Sequence, residues 1–245
     1  MKRATRRTTS GIVNPGRPID VTVILLDGGY LSTAIGPMEV FYSAGVLWNW
    51  LKGEPNQPRF RVRVASPGGR MVRSLCKLGI RPECALEDVR KTDIVVISAS
   101  GWDLQEKIMR HTSIISWLKK MHEKGAYLAA ICSGAAYVAE TGLMDGREAT
   151  THWGVVDTYR ERYPRVRWRP EQFVTESGRI CCSGGVYASI DISLYLVEKF
   201  CGHDVALKCA KSLLVGLPRT SQSGYSVLPL SRPHSDARIR KAGEH

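Results

Sequence analysis

The chain has 245 residues, 43% hydrophobic and 24% charged, a balance that allows one large domain or two small ones around a well-buried core. No apolar run approaches the roughly 18–20 residues that span a bilayer, and the basic, polar residues 1–18 lack the apolar centre of a secretory signal, so a cytoplasmic protein is expected. The net charge of +12 does not mark a nucleic-acid-binding platform: residues 1–18 carry five bases and no acid, residues 219–245 five bases against two acids, and only +4 remains for the body.

Residues 1–18 show no apolar periodicity and are expected to form a disordered basic tail. Residues 19–26, IDVTVILL, are almost continuously apolar, as a strand buried on both faces is. A glycine turn and a helix over about 36–51 follow, then an alternating strand at 60–65 and a hairpin excursion over 66–82 around Gly68 and Gly69. Residues 94–97 read as another buried strand, 104–123 as a helix, 126–131 as a strand and 133–141 as a helix. A helix over 152–163, short strands at 166–168, 173–175 and 180–182, and helices at 186–200 and 203–214 complete the pattern.

Strands alternating with helices predict an α/β fold, a doubly wound and mostly parallel sheet sandwiched by helices, in one domain over residues 19–217. Residues 218–233 have the Ser, Pro, Arg and Gly content of a linker. A helix then starts at Ser235 or Asp236 and has room for only two or three turns before His245, as at the opening of a further domain. The seven cysteines are odd in number, irregularly spaced and without a CxxC pair, so they are expected to be reduced and to bind no metal. No cofactor is implied.

The sharpest local signal is LAAICSGAAY, residues 128–137, where a buried strand runs straight into Cys132 flanked by small residues and a helix begins at once. This is the nucleophile-elbow arrangement, and a helix N-terminus beneath the sulfur would favour thiolate and offer backbone N–H groups to an anion. Three further loops should share the rim at the carboxyl edge of the sheet: residues 98–101 with Ser100 and Gly101, residues 150–153 with His152 and Trp153, and residues 183–185 with Ser183 and Gly184. Cys132 and His152 are the catalytic candidates, a thiol and a base. Cys132, Ser133, Ser100, Gly101, His152, Trp153, Ser183 and Gly184 are candidate ligand contacts. Trp48 and Trp50 are read as core or dimer packing, Trp102 as packing or a ligand cover, Asp191 as satisfying backbone or hydroxyl groups, and Arg147 as a surface charge.

Residues 36–41, 130–135, 142–153 and 183–193 together resemble the PfpI-like superfamily, which has the class I glutamine amidotransferase-like, flavodoxin-like fold. More narrowly they are similar to the sensing domain of GlxA-type regulators in the AraC family, a likeness that extends through residues 219–225 and 236–240. The resemblance implies a dimerising domain that senses a small molecule, an amino acid or a quaternary amine. It also implies DNA binding through a C-terminal helix-turn-helix half that starts in residues 218–245 and is otherwise missing. The same superfamily contains cysteine-dependent hydrolases and hydratases, which is the alternative reading. Catalytic relatives carry an Asp or Glu four residues before the Pro of the Gly-Pro pair; here Thr33 stands there and cannot move a proton at neutral pH. Protease-like members have His after the Cys, where this chain has Ser133. Thr33 and the nearby Glu39 complete the set of candidate ligand contacts.

Overall fold

A computed structural model describes residues 17–101, 106, 108, 109, 112–217, 219 and 221–223. Seven strands form the main sheet: β1 (Ile19–Ile24), β2 (Phe60–Ser66), β5 (Cys84–Ala85), β6 (Ile94–Ile97), β7 (Tyr127–Ile131), β10 (Val174–Ser177) and β11 (Ile180–Ser183). Their order is β10-β11-β7-β6-β1-β2-β5, and every pairing is parallel except the β10–β11 hairpin. From β1 the chain winds outward through β2 and β5, then returns to the other side through β6 and β7. The doubly wound α/β sandwich is the fold of this chain.

Period-two alternation divides the side chains between two cores. Val21 and Val23 of β1, Ile94 and Val96 of β6, and Ala129 and Ile131 of β7 face one core. Helices α1 (Ser32–Ser43), α6 (Ala188–Cys201) and α7 (His203–Ser212) supply Val40, Phe41, Leu196, Val197 and Cys209 to it. Val95, Ile97, Leu128 and Ala130 face the other core, which α3 (Thr112–Glu123) covers with Ile114, Trp117, Leu118 and Met121. Strands buried on both faces are why the sequence shows unbroken apolar runs.

The expected helix over 36–51 is two helices. The first closes at Ser43, and α2 (Leu47–Lys52) starts after Gly45, whose φ is +78° and where a Cβ would lie 2.1 Å from the Gln57 carbonyl oxygen. α2 buries none of its residues, and Trp50 is 69% exposed, so the tryptophan there is not core packing. The excursion over 66–82 contains a small antiparallel pair, β3 (Val72–Arg73) and β4 (Gly79–Ile80). A second pair, β8 (Glu148–Ala149) with β9 (Arg167–Trp168), is parallel, and the sequence pattern had not indicated β8.

The helix expected over 133–141 is a 3-10 turn (Cys132–Gly134) followed by α4 (Ala135–Ala139). That over 152–163 is likewise a 3-10 turn (Trp153–Val155) leading into α5 (Val156–Arg162). Trp102 and nearly all of the expected terminal tail and linker lie outside the described residues. Where the ends are described they are anchored. Arg17 pairs with Asp20 and Asp93 at 2.9 and 3.0 Å, and Arg219 pairs with Asp191 at 2.8 Å.

Candidate functional site

The carboxyl ends of β1, β6 and β7 diverge where the winding reverses, the place an open α/β sheet offers a ligand. The loop after β7 is shaped by Cys132, whose φ of +54° is a conformation that costs a non-glycine residue free energy and is held by its surroundings. Two of those surroundings are side chains. The Thr151 hydroxyl donates to the Cys132 carbonyl at 2.9 Å, and the Tyr159 hydroxyl donates to the Ser133 carbonyl at 3.1 Å. Gly134 makes the turn possible, because a Cβ there would stand 2.7 and 2.8 Å from the carbonyl oxygens of Ile97 and Ser98.

The loops after β1 and β6 are tied to the elbow in turn. The Ser98 hydroxyl donates to Ile24 at 2.8 Å. The Thr33 hydroxyl accepts from the Ala99 amide at 3.0 Å and donates to the Tyr30 carbonyl at 2.6 Å. Together they frame a cavity of about 680 Å³. Six candidate contacts line it: Ser100, Gly101, Cys132, Ser133, His152 and Trp153.

Four candidates do not line it. Thr33 is fully buried with its hydroxyl committed to the two loops, and Glu39 is exposed on α1. Ser183 is fully buried beneath the rim. Gly184 is covered by Gln222, whose Oε1 lies 2.4 Å from where a glycine Cβ would be.

Lining residues not anticipated from the sequence include Tyr30, Val155, Thr158, Tyr159, Arg162 and Tyr163. The signal was present: from Val155 they recur at three, four, seven and eight residues, one face of a helix. Tyr159 sits edge-on to both Tyr163 and Trp168, with ring centroids 5.9 and 5.4 Å apart. The Arg162 guanidinium bonds Glu140 at 2.7 and 3.0 Å, and the Tyr163 hydroxyl donates to the same carboxylate at 2.8 Å. Among the described residues no Asp or Glu lines the cavity.

The electrostatics correct one expectation. Burial pushes the Cys132 thiol up to about 11, and its hydrogen bond with the Ser133 backbone offsets this only in part. Burial therefore favours the thiol over the thiolate at neutral pH. His152 caps the next turn, its Nδ1 accepting from the Gly154 amide at 3.0 Å. Burial lowers its pKa, so the ring is neutral, with the proton on Nε2. It stacks on Trp153 with centroids 5.1 Å apart.

Elsewhere, Asp191 satisfies a backbone amide, that of Arg219 at 2.7 Å, and also holds its guanidinium. Arg147 is only half-buried and donates to Ser177 at 3.2 Å, holding the β10–β11 turn. All seven cysteines are free. No helix among the described residues is long and apolar enough to cross a membrane.

A doubly wound sheet with a cysteine elbow over a cavity at its switch point defines the class to which this molecule belongs. The model of the DJ-1/PfpI family matches residues 21–199, and the chain belongs to that family. It is 31% identical over 163 residues to the HTH-type transcriptional regulator CdhR of Pseudomonas aeruginosa, covering 66% of this chain and 47% of that protein. It is 27% identical over 173 residues to the HTH-type regulator GlxA of Rhizobium meliloti, covering 69% and 52%. An isonitrile hydratase from Pseudomonas putida also matches, 25% identical over 136 residues that cover 55% of this chain and 57% of the enzyme. Among solved structures, an AraC family transcriptional regulator from Pseudomonas putida superposes with a TM-score of 0.66 at 20% identity, covering 80% of this chain and all of that one. The chain spans about half the length of the regulators it matches.

Proposed function

We propose that this domain is the small-molecule-sensing half of an AraC-type transcription regulator. One observation carries the reading: the cavity holds an elbow thiol that stays protonated and a neutral imidazole, but no carboxylate among its described lining. Such a site can hold a guest, and its described lining offers no carboxylate for proton transfer at the reacting atom. The guest is a small effector with a carboxylate at one end, an amino acid or a quaternary amine. Its carboxylate meets the Gly101 amide and the Arg162 guanidinium, while Trp153, Tyr159 and Tyr163 face its body. The domain dimerises, and DNA is bound through a helix-turn-helix half, in keeping with the HTH-type regulators of whose length the match covers about half. Thermal-shift screening with amino acids and betaines tests this: the expected result is a compound that raises the melting temperature of the wild type and loses its effect when Gly101 and Trp153 are replaced.

A second reading is a cysteine-dependent hydrolase or hydratase. It is favoured by the positive φ of Cys132, the conformation that exposes a nucleophile, and by His152 in the same cavity. It requires turnover that Cys132→Ser abolishes.

A further inference from the structure

The described part of the segment that leads out of the domain is fixed to the fold with unusual care. Arg219 places its backbone amide 2.7 Å and its Nη2 2.8 Å from the carboxylate of Asp191, which is buried in α6. Its guanidinium lies 4.2 Å from the Phe173 ring centre. Ser221 forms an isolated antiparallel bridge with Gln172, and the Gln222 amide donates to Glu171 at 2.8 Å. The Gln222 side chain is the deepest element, 3% exposed. Its Nε2 reaches the carbonyls of Thr151 and Gln172 at 3.0 Å and the Thr150 hydroxyl at 3.2 Å. Gly184 leaves the space for it.

The peptide that receives Gln222 also belongs to the cavity wall. Thr151 offers its carbonyl to Gln222 and its hydroxyl to the Cys132 carbonyl at 2.9 Å, and the next residue is His152. A displacement of the elbow or of His152 must move one end of this short path, and a displacement of Gln222 the other. We propose that the groove formed by Gly184, Thr151, Gln172 and Asp191 is a docking site for the chain's own exit segment, and that docking and the state of the elbow cavity are coupled through Thr151. Coupling of this kind is reciprocal, so perturbing either side is read at the other. In a regulator, which rests on the function proposed above, the groove would report cavity occupancy to whatever follows residue 223.

The test uses the 245-residue chain without any effector, so failure to find one leaves the test intact, and a negative result here leaves effector binding intact. Gln222→Ala removes the side chain; Gly184→Ala evicts it from the domain side, since the added Cβ would stand 2.4 Å from its Oε1 and 2.8 Å from its Nε2. Amide hydrogen exchange is followed by mass spectrometry, and iodoacetamide alkylation is read on the peptide that contains Cys132. Both variants should speed exchange at residues 150–154, together with residues 221–223, by about tenfold, and alkylation of Cys132 by a similar factor. Carbamidomethylation of Cys132 in the wild type should in turn speed exchange at residues 221–223. Faster exchange confined to residues 221–223, with Thr151, His152 and Cys132 unchanged in both variants, would overturn the coupling. Wild-type exchange at 221–223 as fast as in Gln222→Ala would overturn the docking itself.

Discussion

Ser133 and Ser100 grip each other in both directions: the Ser133 hydroxyl donates to the Ser100 carbonyl at 2.8 Å and accepts from the Ser100 amide at 3.0 Å. One side chain thus fixes the β6 loop to the elbow and sets the mouth of the cavity between them. Ser133→Ala leaves a backbone N–H and C=O in a partly buried place without these partners, at an expected cost of about 1–2 kcal/mol. Urea unfolding measures it. The same variant should weaken any cavity ligand more than it weakens the fold.

Gly134 is the stricter position. A methyl group there meets two backbone carbonyl oxygens inside 3 Å, neither of which can swing away. Gly134→Ala should destabilise the domain by about 2–3 kcal/mol, and the loss should appear in chemical unfolding with no change in the slope against denaturant.

The state of Cys132 has a pH signature. Its folded pKa is raised from the ordinary value near 9 to about 11. The thiol's contribution to stability is therefore fully present below about pH 9 and is lost as the pH rises through about 11, because the unfolded chain releases that proton first. Alkylation of Cys132 at neutral pH should be slow and should climb about tenfold per pH unit up to the folded pKa, since only the thiolate reacts. Site-resolved mass spectrometry over pH 7–11 distinguishes this from a plateau near neutrality, which a catalytic thiolate would give.

How far the sequence already displayed this molecule follows from what its residues must satisfy. Strands β1, β6 and β7 were legible because both of their faces are buried and, apart from Asp20 and Thr22 of β1, their residues are apolar or aromatic. The elbow was legible because only small residues fit beside Gly134, and His152 because a chemically distinct side chain at a helix start stands out. Thr33 and Gly184 lie off the cavity lining for a physical reason: each sits near the rim in sequence, but its neighbours are Ala99 and Gln222, far away along the chain. The break at Gly45 turns on its contact with Gln57, again a tertiary fact. The wall of α5 was the avoidable omission, since its helical spacing was on view.

Arg162 offers a test of ligand orientation. Its pair with Glu140 is only partly shielded, so Arg162→Met, which keeps the aliphatic stem, should cost less than about 1 kcal/mol of stability. It should weaken a carboxylate-bearing effector by about tenfold while leaving a neutral ester of the same compound nearly unaffected. Calorimetric titration of the acid and its ester gives the comparison.

The central claim, that this cavity holds a guest and does not transform it, is tested most directly by incubating a thermal-shift hit with the wild type and with Cys132→Ser and following both binding and ligand integrity by calorimetry and mass spectrometry. The account predicts comparable affinity for the two proteins, within about a factor of five, and the ligand recovered unchanged from each. Consumption of the ligand by the wild type that Cys132→Ser abolishes would contradict it.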